Sequence, residues 1–543
     1  MSQLPARPNL EQYKKQAKDL AKSCAQGMPE ALSRVQRHHP HFHKMTDLGT
    51  AKVVLTDAQL VIAREHDFES WPKFARYVEM VNAIRSVGTL EDPVAAFIEM
   101  ACVPRHASHV SGTVEYAEAI LKRYPEVARS NIHTAAILAD EAGVRGFLAR
   151  DPESATQTGG PYGWDALTHL CFSRYLRLDK TRSEAFVRSA RALLDAGASA
   201  KTGWYENIDY PNPRPLFESA IYGAAAIACH PELTQLLLER GADPNDEETP
   251  YHVPEEYENK VVRILLESGK LNNTSLAWML VRKADHHDEK GIRLVLESGA
   301  DPNFMTRVEN TALHHAIRRD NSLRIIELLL DHGANPALKN KRDGRSAIAM
   351  AAHRGRPDVL NSLEKRGVPL NLEGVDRLIA ECARGNREAI YQLVAAEPQL
   401  KDQLIEQGGT LLAEFAGTGN ADGLRCLLDL GVSANALYEE GDIYFGITKQ
   451  STALHVAAWR AWPDAVKELI NRGAPVNALD GRGRTALILA VKACTDSYWM
   501  HRRSPDSVAA LLKAGATIEG IEIPTGYDAI DVLLREYSGA TKA

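Results

Sequence analysis

The stretch from Thr311 to Asn335, TALHHAIRRDNSLRIIELLLDHGAN, constrains the fold of this chain more than any other. Thr311 can cap the start of a helix with its hydroxyl, and Leu313, Ala316 and Ile317 then fall on one helical face. This spacing predicts a short first helix with one apolar side.

The second half of the stretch predicts another helix, which is too apolar to stand alone. Its apolar residues are Ile325, Ile326, Leu328, Leu329 and Leu330. Gly333 suits the left-handed position that ends a helix, and Asn335 suits the turn after it. Because such a helix pair cannot bury both faces by itself, it must stack against copies of itself.

Copies of this unit succeed one another along the chain. The second helices end at Gly197, Gly241, Gly269, Gly299, Gly333, Gly367, Gly431, Gly473 and Gly515. Several of these helices begin at a proline, whose missing N–H costs nothing there; they are Pro231, Pro357, Pro463 and Pro505. From Gly299 through Gly333 to Gly367 the spacing is about 34 residues, which favours a regular helical repeat.

The unit resembles an ankyrin repeat. Thr311 to His314 is similar to the T-P-L-H-x-A opening of that family, with Ala312 in place of the usual proline, and Gly333 to Asn335 is similar to its G-A-D-x-N ending. The resemblance implies an all-α, ankyrin-repeat α-solenoid with an N-terminal helical cap. It also implies that His314 hydrogen-bonds a neighbouring turn.

The pattern predicts four regions. Residues 1–90 form an N-terminal helical leader, and residues 91–130 form a degenerate helical pair that joins the leader to the array. Residues 131–524 hold about eleven repeats, several of them degenerate. Residues 525–543 form a C-terminal capping helix and tail.

The leader has its own resemblance. RHHP (37–40), DAQLVIAREH (57–66) and SWPKF (70–74) are similar to stretches of the helical leader common in bacterial ankyrin-repeat proteins. This implies a bacterial source but no chemistry. We expect the leader to cap the first repeat and to cover its apolar face.

Composition indicates a soluble intracellular protein. The 543 residues carry a formal net charge of −7 without a basic arm, which is unlike a nucleic-acid binder. The cysteines are widely separated and are expected to be reduced, as in the cytosol; they are Cys24, Cys102, Cys171, Cys229, Cys382, Cys426 and Cys494. We see neither a signal peptide nor a membrane span, and we therefore expect a cytoplasmic protein.

Basic and aromatic residues recur late in the first helices, where the family exposes a concave face to partners. They are Arg318, Arg319, His353, Arg354, Arg384, Trp459 and Arg460. One interpretation is a set of solvated helix ends, because cations favour the helix C-terminus. The other is a stripe that binds a carboxylate or phosphate, or a protein hot spot.

Three insertions are rich in aromatic residues. They are Lys201–Pro215 with Trp204, Tyr205 and Tyr210; Ala436–Gln450 with Tyr438, Glu440, Asp442, Tyr444 and Phe445; and residues 493–506 with Tyr498, Trp499 and His501. Long loops in a compact protein are usually either functional or disordered, and the aromatic content of these loops favours function. They either fold back as caps over neighbouring helices or form a recognition surface with the basic column.

Signatures of catalysis and of cofactor or metal binding are absent: there is no G-x-x-x-x-G-K-[ST], G-x-G-x-x-G, H-E-x-x-H or G-x-S-x-G. We therefore expect no cofactor and no metal. The first hypothesis is a scaffold that binds another protein. The alternative is a hydrolase- or lyase-type enzyme in the groove, with Glu440 or Asp442 as acid/base and the arginines holding a small anionic substrate.

Overall fold

The computed structural model describes residues 9–39, 42, 53–66, 68, 70–86, 88–103, 108–208 and 214–540. The chain divides into two compact units, Met1–Leu271 and Asn272–Ala543. Both are mostly helical, as the sequence predicts. Across the described ranges, no helix has the length and apolar character needed to cross a membrane.

The first unit begins with the leader, whose helices are α1 (Leu10–Ala25), α2 (Pro29–His38), α3 (Leu55–Glu65) and α4 (Trp71–Ser86). Asn9 starts α1 by accepting the N–H groups of Glu11 and Gln12 on its side chain. Tyr13 packs edge-on against Phe74, with ring centroids 4.9 Å apart, in a small core that the leader buries itself. The leader also contacts the rest of the first unit, because α4 packs on the helix Glu115–Arg123.

The rest of the first unit consists of paired helices and one β-hairpin. The helices are α5 (Pro93–Ala101), α6 (Glu115–Arg123), α7 (Ile132–Ile137), α8 (Glu141–Arg150), α9 (Ala166–Cys171), α10 (Arg174–Leu178), α11 (Ser183–Asp195), α12 (Ala220–Tyr222), α13 (Pro231–Glu239), α14 (Glu248–His252) and α15 (Lys260–Glu267). The predicted insertion at 201–215 forms most of an antiparallel hairpin of β1 (Gly203–Ile208) and β2 (Arg214–Ser219). The helical pattern gave no sign of these strands.

The second unit holds most of the regular repeats. Its helices are α16 (Asn273–Asp285), α17 (Glu289–Glu297), α18 (Ala312–Arg318), α19 (Leu323–Asp331), α20 (Ala347–His353), α21 (Pro357–Lys365), α22 (Gly374–Arg384), α23 (Arg387–Ala396), α24 (Gln399–Glu406), α25 (Gly408–Thr418), α26 (Ala421–Asp429), α27 (Ala453–Trp459), α28 (Pro463–Asn471), α29 (Ala486–Thr495), α30 (Asp506–Lys513) and α31 (Asp528–Ala540). A short strand pair, β3 (Leu437–Tyr438) with β4 (Ser451–Thr452), closes the base of the second insertion.

The repeat from Thr311 to Asn335 folds as predicted. Thr311 caps α18 by accepting the N–H of His314. The ring of His314 reaches the next turn, with Nε2 3.2 Å from the carbonyl oxygen of Arg345. This confirms the role that the family resemblance implied. His455 makes the equivalent contact, 3.1 Å from the carbonyl oxygen of Arg484.

Stacking in the second unit is tight where Gly355 meets Phe415. Gly355 has a φ of +63°, and a Cβ built there would lie 2.6 Å from the buried Phe415 ring. Gly333 also has a positive φ, +87°, but nothing would lie within 4 Å of its Cβ. Both glycines have the left-handed conformation, but only at Gly355 does a neighbouring side chain, Phe415, also occupy the space that a Cβ would need.

We predict that Gly355→Ala destabilises the second unit more than Gly333→Ala does. Each alanine bears the left-handed conformational cost of about 1–2 kcal/mol. Overpacking against Phe415 adds about 1–3 kcal/mol for Gly355→Ala alone. Urea midpoints followed by circular dichroism measure the difference, and equal midpoints for the two variants would contradict this packing.

Candidate functional site

The predicted basic column lies at the ends of first helices in the second unit. Arg319, Arg354 and Arg460 are the residues that come directly after α18, α20 and α27. Their sequence position explains their placement, because each occupies the C-cap, where cations are favoured. Since those helices stack, the three arginines point toward shared carboxylates instead of into solvent.

The buried Arg354 and Arg460 and the half-buried Asp320 and Glu414 together form what we call the Arg–Asp cluster. Asp320 accepts a bidentate contact from Arg354, at 2.6 and 3.1 Å, and a third bond of 3.0 Å from Arg460. Arg354 also donates to Glu414, whose other oxygen accepts the hydroxyl of Tyr438 at 3.1 Å. The cluster therefore balances two guanidinium groups against two carboxylates.

The shared charges set the ionisation of the Arg–Asp cluster. Burial lowers the pKa of Arg354, but the charges of Asp320 and Glu414 outweigh burial and raise it above the ordinary value. Burial opposes ionisation of Asp320, but Arg354 and Arg460 hold the pKa of that carboxyl below its usual range. For the other two members burial outweighs the opposite charges, so the pKa of Glu414 is raised and the pKa of Arg460 is lowered.

A second cluster lies at the end of α16. Asp285 accepts bonds from Arg282 at 2.6 Å, from the ring of His315 at 2.6 Å and from Arg319 at 2.7 Å. Burial raises the pKa of Asp285, but these partners outweigh burial and lower it overall. The backbone carbonyl of Asp285 accepts the hydroxyl of Tyr444 at 2.5 Å.

The loop of residues 436–450 lies across these helix ends. Its tip is a turn in which Asp442 accepts the backbone N–H of Tyr444 and Phe445, at 3.0 and 3.3 Å. Trp459 donates its indole N–H to the carbonyl oxygen of Phe445 at 2.6 Å. The loop therefore has a fixed path, held by its own carboxylate and by the helix beneath it.

Arginine stacking fixes the aromatic side chains of this loop. The guanidinium carbon of Arg319 lies 3.6 Å from the ring centroid of Tyr444, and that of Arg460 lies 3.9 Å from Phe445. Arg460 also lies 4.3 Å from the ring of Trp499, in the third insertion. Such cation–π contacts contribute about 2 kcal/mol or more each when they are desolvated.

We call Tyr444, Phe445, Trp459 and Trp499 the aromatic cover. The Tyr444 and Phe445 rings lie 4.8 Å apart, and Phe445 and Trp499 lie 5.9 Å apart. Tyr498 continues the series 6.4 Å from Trp499. The structure thus brings the second and third insertions together above the basic column.

The outer residues of these loops face solvent. Ile443 is 97% exposed and Tyr498 is 89% exposed, and Tyr444, which follows Ile443 in the chain, is also exposed. Glu440 and His501 are exposed at the same loops, and Arg318 is half-buried. The predicted residues therefore divide into a buried supporting layer and an exposed outer layer.

The first insertion belongs to the first unit. Trp204 is buried and stacks on Trp164 with centroids 5.1 Å apart, so it packs within that unit. Tyr205 is exposed and contacts only the ring of Phe217 among the ring pairs described. Tyr210 lies outside the described residues.

Sequence reasoning missed the carboxylates. Asp285, Asp320 and Glu414 were not among the predicted site residues, although all three pair with predicted arginines. Asp320 comes directly after Arg319, with a positive φ of 53°. A usable signal was present, because a column of arginines that is to be buried requires counter-charges near the same helix ends.

Comparisons with known proteins agree with this architecture. Residues 279–373 match the description "Ankyrin repeats (3 copies)" and residues 449–481 match "Ankyrin repeat". Human cyclin-dependent kinase 4 inhibitor B is 34% identical over 108 residues, which cover 19% of this chain and 77% of that protein. The chain belongs to the ankyrin-repeat family, whose repeats are generally protein–protein interaction modules.

Two further proteins are similar to this chain over different shares of its length. The E3 ubiquitin-protein ligase KEG of Arabidopsis thaliana is 22% identical over 425 residues, or 75% of this chain, and the chain spans only 23% of that ligase. The crystal structure of the human ASB11 ankyrin repeat domain has 23% sequence identity and a TM-score of 0.20. The matched region covers 44% of this chain and 98% of that domain.

We predict that Asp320→Asn destabilises the second unit by about 3–5 kcal/mol, because it leaves two buried guanidinium groups short of a counter-charge. The matched control is Asp331→Asn, which removes a surface partner of Arg366 at 2.7 Å. We expect a change of under about 1 kcal/mol there. Urea unfolding measures both, and a small effect at Asp320 would show that the pair is not essential.

We also predict that the loss of stability caused by Asp320→Asn depends on pH. Because the folded-state pKa of Asp320 is lowered, the stability that its charge contributes is fully present above the unfolded value of about 3.9. It is lost as the pH falls through the folded pKa. The gap in urea midpoint between wild type and Asp320→Asn should therefore be wide near neutral pH and narrow below about pH 4. A pH-independent gap would contradict the charged pair.

Proposed function

We propose that the chain is a scaffold that binds another protein through the exposed outer layer of the two aromatic loops, residues 436–450 and 493–506, and through the concave face that the family presents beside them. The observation that carries the proposal is the exposure of Ile443, Tyr444 and Tyr498 on loops whose inner residues are fixed. Adjacent apolar side chains in water favour an interaction site.

The ordered conformation of the aromatic loops supports this function. A loop that is already ordered loses little conformational entropy when a partner binds. Tyr444 is held through its hydroxyl and its ring face, and Tyr498 lies beside the stacked Trp499. Large, rigid aromatic residues of this kind are enriched at binding hot spots.

The enzyme alternative receives less support from the same residues. Arg354 and Arg460 already bind Asp320, so their charge is balanced inside the chain. Asp442 accepts two N–H groups of its own loop, which is the role of a turn residue. A small anionic ligand would have to displace these contacts, whereas a protein can dock on the exposed layer without breaking them.

We also propose a bacterial source and a cytoplasmic location for the protein. The resemblance of the leader favours a bacterial source, and the scattered, mostly buried cysteines favour the cytoplasm. The proposed partner is a protein that presents an apolar patch bordered by polar groups, because that composition is typical of transient interfaces.

We predict that Ile443→Ala combined with Tyr498→Ala removes partners that the wild-type chain captures from a lysate of its native host. Loss of two exposed hot-spot residues should weaken a directly measured partner affinity by at least about tenfold. Affinity capture with quantitative mass spectrometry, then titration of the captured protein, measures this.

The control is Tyr391→Ala. Tyr391 lies in α23 and is 78% exposed, but it belongs to a second helix away from the aromatic loops. We expect this variant to retain partners at wild-type levels, and all variants to melt at the same temperature. Partners retained by the loop double variant, or lost with Tyr391→Ala alone, would refute the proposed surface.

A further inference from the structure

The first unit contains a histidine and two glutamates that converge although they are far apart in sequence. His109, Glu206 and Glu218 place one ring nitrogen and two carboxylate oxygens within 4.8 Å of one another. His109 Nε2 lies 3.3 Å from Glu206, and His109 Nδ1 lies 3.9 Å from Glu218. The absence of a metal-binding motif in the sequence predicts no metal, and a site at these three residues would correct that prediction.

The β-hairpin explains why the two carboxylates meet. In its register Trp204 pairs with Glu218, and Glu206 pairs with Leu216. Side chains two residues apart on a strand share a face, so Glu206 and Glu218 are diagonal neighbours on the face that carries Trp204. The ring of Trp204 lies 5.8 Å from that of His109, which places the histidine over this face.

Glu218 is the unusual member of the group. It is 1% exposed, and its Oε2 has no hydrogen-bond partner among the residues that the structure describes. A buried carboxylate oxygen without a donor is costly. Burial, with the charges of Glu248 and Glu206, raises the pKa of Glu218 to about 9. This corner of the protein therefore places a buried carboxylate oxygen that lacks a donor in the described part of the chain beside His109 and Glu206.

His109 is held in an orientation that suits a ligand. Its Nδ1 lies 3.1 Å from the hydroxyl of Tyr222, so an Nδ1–H donated to that oxygen leaves the Nε2 lone pair facing Glu206. Metal-binding histidines are oriented by this kind of outer hydrogen bond. The backbone of the segment is also fixed, because Arg177 donates to the carbonyl oxygen of Gly112 at 3.1 Å.

We propose that His109, Glu206 and Glu218 bind a zinc ion. Imidazole with carboxylate oxygens is a donor set that Zn²⁺ accepts, whereas magnesium and calcium prefer oxygen alone. Bonds of about 2.0–2.1 Å in a tetrahedral site place neighbouring ligands about 3.3 Å apart, which matches the distance from His109 to Glu206. Three protein ligands leave a fourth position for water. The ion ties the His109 segment to the hairpin.

Isothermal titration of the full-length, chelator-stripped chain with zinc chloride tests the proposal. We expect one zinc per wild-type chain. Glu218→Gln and His109→Gln should each weaken binding by at least about 100-fold, and Tyr222→Phe by about tenfold through the lost outer hydrogen bond. Zinc should raise the melting temperature of the wild type but not that of Glu218→Gln.

The control is His252→Gln. His252 also lies between two carboxylates, 3.2 Å from Glu248 and 2.8 Å from Glu255, and it is in the same unit. This variant should keep wild-type zinc affinity. Glu218→Gln should fold, because it neutralises a buried carboxyl of nearly unchanged shape, and circular dichroism checks this. Wild-type affinity in Glu218→Gln, no zinc binding by the wild type, or zinc lost with His252→Gln would each overturn the site.

Discussion

Two buried guanidinium groups share one carboxylate in the second unit. Arg354 and Arg460 both bind Asp320, so loss of that carboxylate would leave Arg354, among the described residues, with Glu414 alone and would take from Arg460 the carboxylate that it contacts. The aromatic cover then occupies the faces of the guanidinium groups that no carboxylate reaches. The path of the loops, the burial of the column and the exposure of the outer residues all depend on this charge balance.

Much of the repeat architecture could be predicted because it depends on local sequence. Thr311 as a cap, the apolar face of Ile325, Ile326 and Leu329, and the helix end at Gly333 are properties of neighbouring residues. The position of the arginines at helix ends is set by the same register. Their burial is not, because it depends on carboxylates supplied by other repeats.

The inserted segments show where prediction from sequence stops. Their aromatic content indicated packing or recognition, and both alternatives are represented among their residues: Phe445 is buried and Tyr498 is exposed. The hairpin in the first unit was missed because a helical repeat pattern carries no information about strand register. Glu206 and Glu218 come together only through that register, and His109 reaches them from a segment about one hundred residues earlier in the chain.

Long-range bonds have a consequence for how the second unit comes apart. In a simple solenoid each repeat touches only its neighbours, so the ends can fray independently of the middle. Tyr444 and Asp285 are 159 residues apart, and Arg460 and Asp320 are 140 apart. Opening either end of this span must break contacts made with the other end. We therefore expect the second unit to unfold with a cooperativity that nearest-neighbour stacking does not provide, as a globular domain does.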